Sequence, residues 1–81
     1  MTKKALVVDD DRATLDLMKF QLSDEGFVVS TAENGEKGLD FVKETEFDII
    51  LTDLQLPDFS GMEMVKRCKE IAPDTEIIMI T

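Results

Sequence analysis

Four short apolar runs, at residues 5–8, 27–32, 47–52 and 75–80, alternate with longer stretches of helical character, and only brief turns separate them. No other feature constrains the fold as strongly. Apolar runs this short suit strands buried on both faces of a parallel sheet, and parallel strands need a crossover between them, usually a helix. The βαβαβαβ order therefore predicts an α/β domain with a parallel sheet and right-handed crossovers.

The intervening segments carry the matching signals. Over residues 12–25, Leu15, Met18 and Leu22 recur at helical spacing, Ala13, Leu17 and Phe20 widen the apolar surface, and Gly26 supplies a stop. Asn34 is placed to cap a helix over 35–44, with Leu39 and Val42 inward and Gly38 allowing close packing. Ser60 and Glu63 have capping-box spacing at the start of a third helix. Its inward stripe is Met64, Val65, Cys68, Ile71 and Ala72, and Pro73 and Asp74 end it. Met18, Met62, Met64 and Met79 are expected in the core, and Lys3 and Lys4 in a solvated N-terminus. The last strand is followed by no helix, so the 81 residues are expected to form one lean, incomplete domain.

Composition narrows the chemistry. A hydrophobic share of 43% with 33% charged residues is that of a soluble globular chain. A net charge of −9 argues against this segment gripping nucleic acid, which needs a basic surface. No apolar run approaches the roughly 20 residues that span a bilayer, so neither a membrane segment nor a signal peptide is expected. A lone cysteine, Cys68, excludes an internal disulfide and fits a reducing cytoplasm; on the inward stripe it is a small core hydrophobe. The chain has no histidine, so any chemistry must run on carboxylates, hydroxyls and a hard metal.

The informative acids stand where strands end. Asp53 closes the apolar run 47–52, just before the loop 54–60; Asp9, Asp10 and Asp11 close the run 5–8. Alone, Asp9–Asp11 would equally suit a helix cap that favours the dipole. In one common strand order of the doubly wound sheet, however, the first and third strands are neighbours, and ligands sit beyond their C-terminal ends. Carboxylates gathered there repel unless a cation lies among them, and oxygen ligands with room for water and phosphate suit Mg²⁺. A carboxylate beside Mg²⁺ can attack phosphorus and form an aspartyl-phosphate.

LVVDDD at 6–11, ILTDLQLPDFSG at 50–61 and IIMIT at 77–81 resemble the receiver domain of two-component response regulators. The resemblance covers the whole chain, and the phrases look most like receivers of NtrC-type transcription activators. It implies a flavodoxin-like sheet, for which receivers are themselves a standard example. It further implies that Asp53 is the phosphoacceptor and that Asp9 and Asp10 hold Mg²⁺, Asp10 directly and Asp9 mainly through water. Gln55 would give the metal its backbone carbonyl, and the Thr81 hydroxyl would sense the phosphoryl group. A sensor histidine kinase would be the donor, and an output domain outside these residues would control transcription.

Receivers also carry a fifth strand, a lysine at its end and two further helices, none of which these residues contain. The expectation is a partial receiver domain over residues 1–81, a phosphoryl acceptor rather than an enzyme. Uncovered apolar surface beside the first helix, including Leu15 and Phe20, predicts a homo-oligomer. An inactive, self-associating fragment is the alternative. An aspartate-nucleophile phosphohydrolase is disfavoured, because those enzymes place a second acid two residues after the nucleophile, where this chain has Gln55.

Overall fold

The computed structural model describes residues 2–80. Among them, strands β1 (Lys3–Val8), β2 (Phe27–Ala32), β3 (Ile49–Asp53) and β4 (Glu76–Ile80) alternate with helices α1 (Arg12–Asp24), α2 (Gly35–Glu44) and α3 (Gly61–Ile71). All pairings are parallel, in the order β2-β1-β3-β4. The expected α/β architecture is therefore present, with the first and third strands adjacent.

Alternation along the strands divides the core into two layers. Leu6 and Val8 of β1 and Ile50 of β3 face α2 and α3, where they join Leu39, Val42, Met64 and Cys68. Val7 and Leu51 face the other way, against Leu15 of α1. Each fully buried aliphatic side chain of this kind contributes about 2 kcal/mol of transfer free energy. Both faces of the two central strands are covered, which is why they read as unbroken apolar runs.

Local signals fix the ends of the elements. Gly26 ends α1 with a φ of 97°, in the left-handed region that glycine enters without a Cβ clash. The Asn34 side chain accepts the Lys37 N–H at 2.8 Å, as expected of a cap. Only half of the expected capping box at α3 forms. Ser60 Oγ accepts the Glu63 N–H at 3.1 Å, but Glu63 turns outward and accepts Arg67 Nε at 2.9 Å instead.

Several burial expectations need correction. Leu15 is not part of an uncovered surface: it is 1% exposed, while Leu17 and Phe20 on the same helix are 56% and 72% exposed. The packed arc of α1 is narrower than its apolar surface, because only the Leu15, Met18 and Leu22 side reaches the sheet. Met64 is fully buried but Met62 points to solvent, and Ile71 lies at the exposed end of α3. Lys3 and Lys4 belong to β1, pairing with Phe27 and Val28, although their side chains remain exposed.

Candidate functional site

Register brings the acids together. Val8 of β1 pairs with Thr52 of β3, so Asp9 and Asp53 leave the sheet side by side. The Asp9 N–H continues the ladder to the Ala32 carbonyl at 3.1 Å, which ties the residue to β2 as well. Asp9, Asp10 and Asp53 each offer a carboxylate oxygen, and these atoms lie within 4.8 Å of one another. Asp9 is buried, Asp53 half-buried and Asp10 exposed, so the cluster opens to solvent on one side.

Two of the carboxylates are oriented by main-chain donors. The Asp11 N–H donates to Asp9 Oδ1 at 2.9 Å, and the Leu54 N–H to Asp53 Oδ1 at 2.7 Å. Burial pushes the Asp9 carboxyl above its ordinary value; the Asp11 N–H pulls it back, and the charges of Asp53, Asp10 and Asp11 push it up again. Among the described residues the ion pairs are Arg12–Glu33 and Arg67–Glu63, and neither reaches the cluster. Three mutually repelling carboxylates are thus gathered with no basic partner among the described residues. An all-oxygen donor set, open to solvent on one side, fits a hard divalent cation such as Mg²⁺. Asp11 stands apart from the cluster. It occupies the N-cap position of α1, where its Oδ2 accepts the Thr14 hydroxyl at 2.7 Å.

The loop after Asp53 folds back as a narrow hairpin. Gln55 and Ser60 form an antiparallel bridge, the Leu56 N–H donates to the Phe59 carbonyl at 3.2 Å, and the Gly61 N–H to the Leu54 carbonyl at 2.7 Å. Gly61 must be glycine for this closure, since a Cβ there would overlap the Asp53 carbonyl oxygen and stand 2.9 Å from Leu54 Cα. Gln55 therefore sits at the base of the hairpin, two residues past Asp53, with its backbone held by the bridge. Thr81 lies outside the described residues.

One contact escaped the sequence. Asp58, inside the loop 54–60, accepts the Gly35 N–H at Oδ1 and the Glu36 N–H at Oδ2, both at 2.9 Å. It caps α2 from 22 and 23 residues away, a separation that no local pattern reveals. A groove of about 730 Å³, lined in part by Lys4, Phe47, Asp48 and Thr75, lies at the opposite end of the sheet and contains none of these residues.

Residues 5–81 match the family model described as response regulator receiver domain. The chain belongs to the receiver domain family. The cell cycle transcriptional regulator CtrA of Caulobacter vibrioides is 36% identical over 78 residues, which are 96% of this chain and 34% of that protein. The chain thus spans about a third of this curated relative. A CheY-like receiver domain protein from Methanospirillum hungatei superposes with a TM-score of 0.95 at 35% identity, over 98% of this chain and 63% of that one. A response regulator from Burkholderia pseudomallei, solved with a phosphorylated aspartic acid, calcium ion and citrate, gives 0.89 at 27% identity, over 95% and 45%.

Proposed function

We propose that this chain is the phosphoryl-accepting part of a two-component signalling protein, with Asp53 as the acceptor and a sensor histidine kinase as the donor. The observation that carries this reading is the convergence of Asp9, Asp10 and Asp53 within 4.8 Å at the ends of β1 and β3. Asp9, Asp10, Asp53 and the Gln55 backbone carbonyl would hold Mg²⁺. When bound, the metal neutralises charge on the transferring phosphoryl group.

The chain's own residues supply position. The Leu54 N–H on Oδ1 fixes the rotation of the Asp53 carboxylate. An Asp53 oxygen attacks phosphorus, the P–N bond to the kinase histidine breaks, and the leaving imidazole nitrogen takes up a proton. Return of the phosphoryl group to water regenerates the carboxylate. The Thr81 hydroxyl pairs with the phosphoryl group in this scheme. The signal passes to an output region outside these residues that acts on transcription, with the receiver held in the cytoplasm and receiver residues 1–81 forming only part of the domain.

The test is treatment with acetyl phosphate, or with beryllofluoride, plus Mg²⁺, followed by intact mass and amide NMR. A single adduct that disappears in Asp53→Asn is the expected result. No adduct at saturating reagent refutes the reading and leaves an inert segment.

A homo-oligomer is a second reading, favoured by the exposure of Leu17, Phe20 and Ile78. Light scattering that shows a monodisperse monomer at high concentration refutes it.

A further inference from the structure

The first four N–H groups of a helix have no partner within it. In α2, the Asn34 side chain satisfies one of them, the Lys37 N–H, while the Gly38 N–H makes the first regular helical bond, to the Asn34 carbonyl. Two more, on Gly35 and Glu36, both donate to Asp58. A carboxylate is the side chain suited to this, because two acceptor oxygens meet two adjacent donors and its charge complements the helix dipole. The contact is reinforced beside it. The Phe59 ring lies against Gly35 so closely that a Cβ at that position would overlap it, and the Arg67 guanidinium covers the ring at 4.6 Å from its centroid.

Asp58 also stands at the tip of the hairpin whose base carries Gln55. In the Gln55–Ser60 bridge, the Leu56–Phe59 hydrogen bond closes the tip around Pro57 and Asp58, and the Gly61–Leu54 hydrogen bond closes the base. Tip and base form one short, doubly tied unit. Pinning the tip to α2 therefore restricts the base.

We propose that Asp58 is a positioning residue for the cation site: by gripping the first two amides of α2, it holds the 54–60 hairpin so that the Gln55 carbonyl stays beside Asp9, Asp10 and Asp53. The inference rests on the metal reading of those three acids. Asp58 touches no cation itself; it removes the hairpin freedom that a binding ion would otherwise have to freeze out.

The test combines calorimetric titration of the 81-residue chain with MgCl₂ and amide hydrogen exchange by NMR. Asp58→Ala is expected to weaken Mg²⁺ binding about 10-fold and to speed exchange at Gly35 and Glu36. Asp58→Asn keeps one acceptor oxygen and should fall between Asp58→Ala and wild type. Asp40→Asn, which removes an exposed charge elsewhere on α2, should leave both measurements unchanged. Protected β1 and β3 amides certify the fold, and if Asp58→Ala loses them, the Asp58→Asn variant decides. Wild-type affinity in the folded Asp58 variants overturns the proposal, as does an equal loss in Asp40→Asn, which would mean charge alone. Mg²⁺ binding that is indifferent to Asp10→Asn sinks the metal reading, and the proposal with it.

Discussion

Val8 and Thr52 are register partners in β1 and β3, so the residue that follows each, Asp9 and Asp53, emerges at the same level of the sheet. This pairing turns two acids separated by 44 positions in sequence into neighbours. It also makes their repulsion a property of the fold rather than of the unfolded chain.

Repulsion of this kind has a measurable cost. Asp10→Asn should raise the thermal midpoint in EDTA by about 2–4 °C, the effect of roughly 0.5 kcal/mol on a domain of this size. Mg²⁺ at about 100 times its dissociation constant should stabilise wild type by about 2.7 kcal/mol and the variant far less. Circular dichroism melts with and without the ion check both signs.

Gly61 lets the start of α3 approach the backbone at Asp53 and Leu54. Because the obstacle is backbone rather than a flexible side chain, Gly61→Ala should destabilise the fold by about 1–3 kcal/mol. It should also move the Asp53 amide resonance. Urea unfolding together with an amide spectrum separates these effects, and an unchanged midpoint would contradict the close approach.

The two apolar sides of α1 should behave differently. Leu15→Ala empties a site packed against Val7 and Leu51 and should cost about 2–5 kcal/mol. Phe20→Ser alters a side chain that is 72% exposed and should change stability by no more than about 0.5 kcal/mol. If copies of the chain meet through this surface, the same variant lowers the apparent mass in sedimentation.

Acid should release the Asp58 latch. Burial alone would raise this carboxyl, but the Gly35 and Glu36 N–H groups, together with those of Asp58 and Phe59, outweigh it and hold it below the ordinary carboxylate value. A carboxyl depressed in the folded state stabilises the fold while ionised. Its contribution is complete above the unfolded value, about 3.9, and is lost as pH falls through the folded value. The gap in thermal midpoint between wild type and Asp58→Ala should therefore be widest near pH 6 and narrow below about pH 4.

The amino-acid sequence by itself determined the kind and order of the elements. Strand runs, helical stripes, the Asn34 cap and the Gly26 stop are written in spacings of a few residues, and the physics behind them acts over the same range. Asp53 was legible for that reason, as the acid at the end of a buried run. Tertiary structure alone decided what depends on contact between distant segments. It placed β1 beside β3 and so brought Asp9 and Asp10 to Asp53. It buried Leu15 and Met64 while leaving Phe20 and Met62 in solvent, because one arc of each helix meets the sheet and the rest does not. It also gave Asp58 its partners on α2, since the two amides it satisfies come into reach only once the hairpin and the helix have packed together.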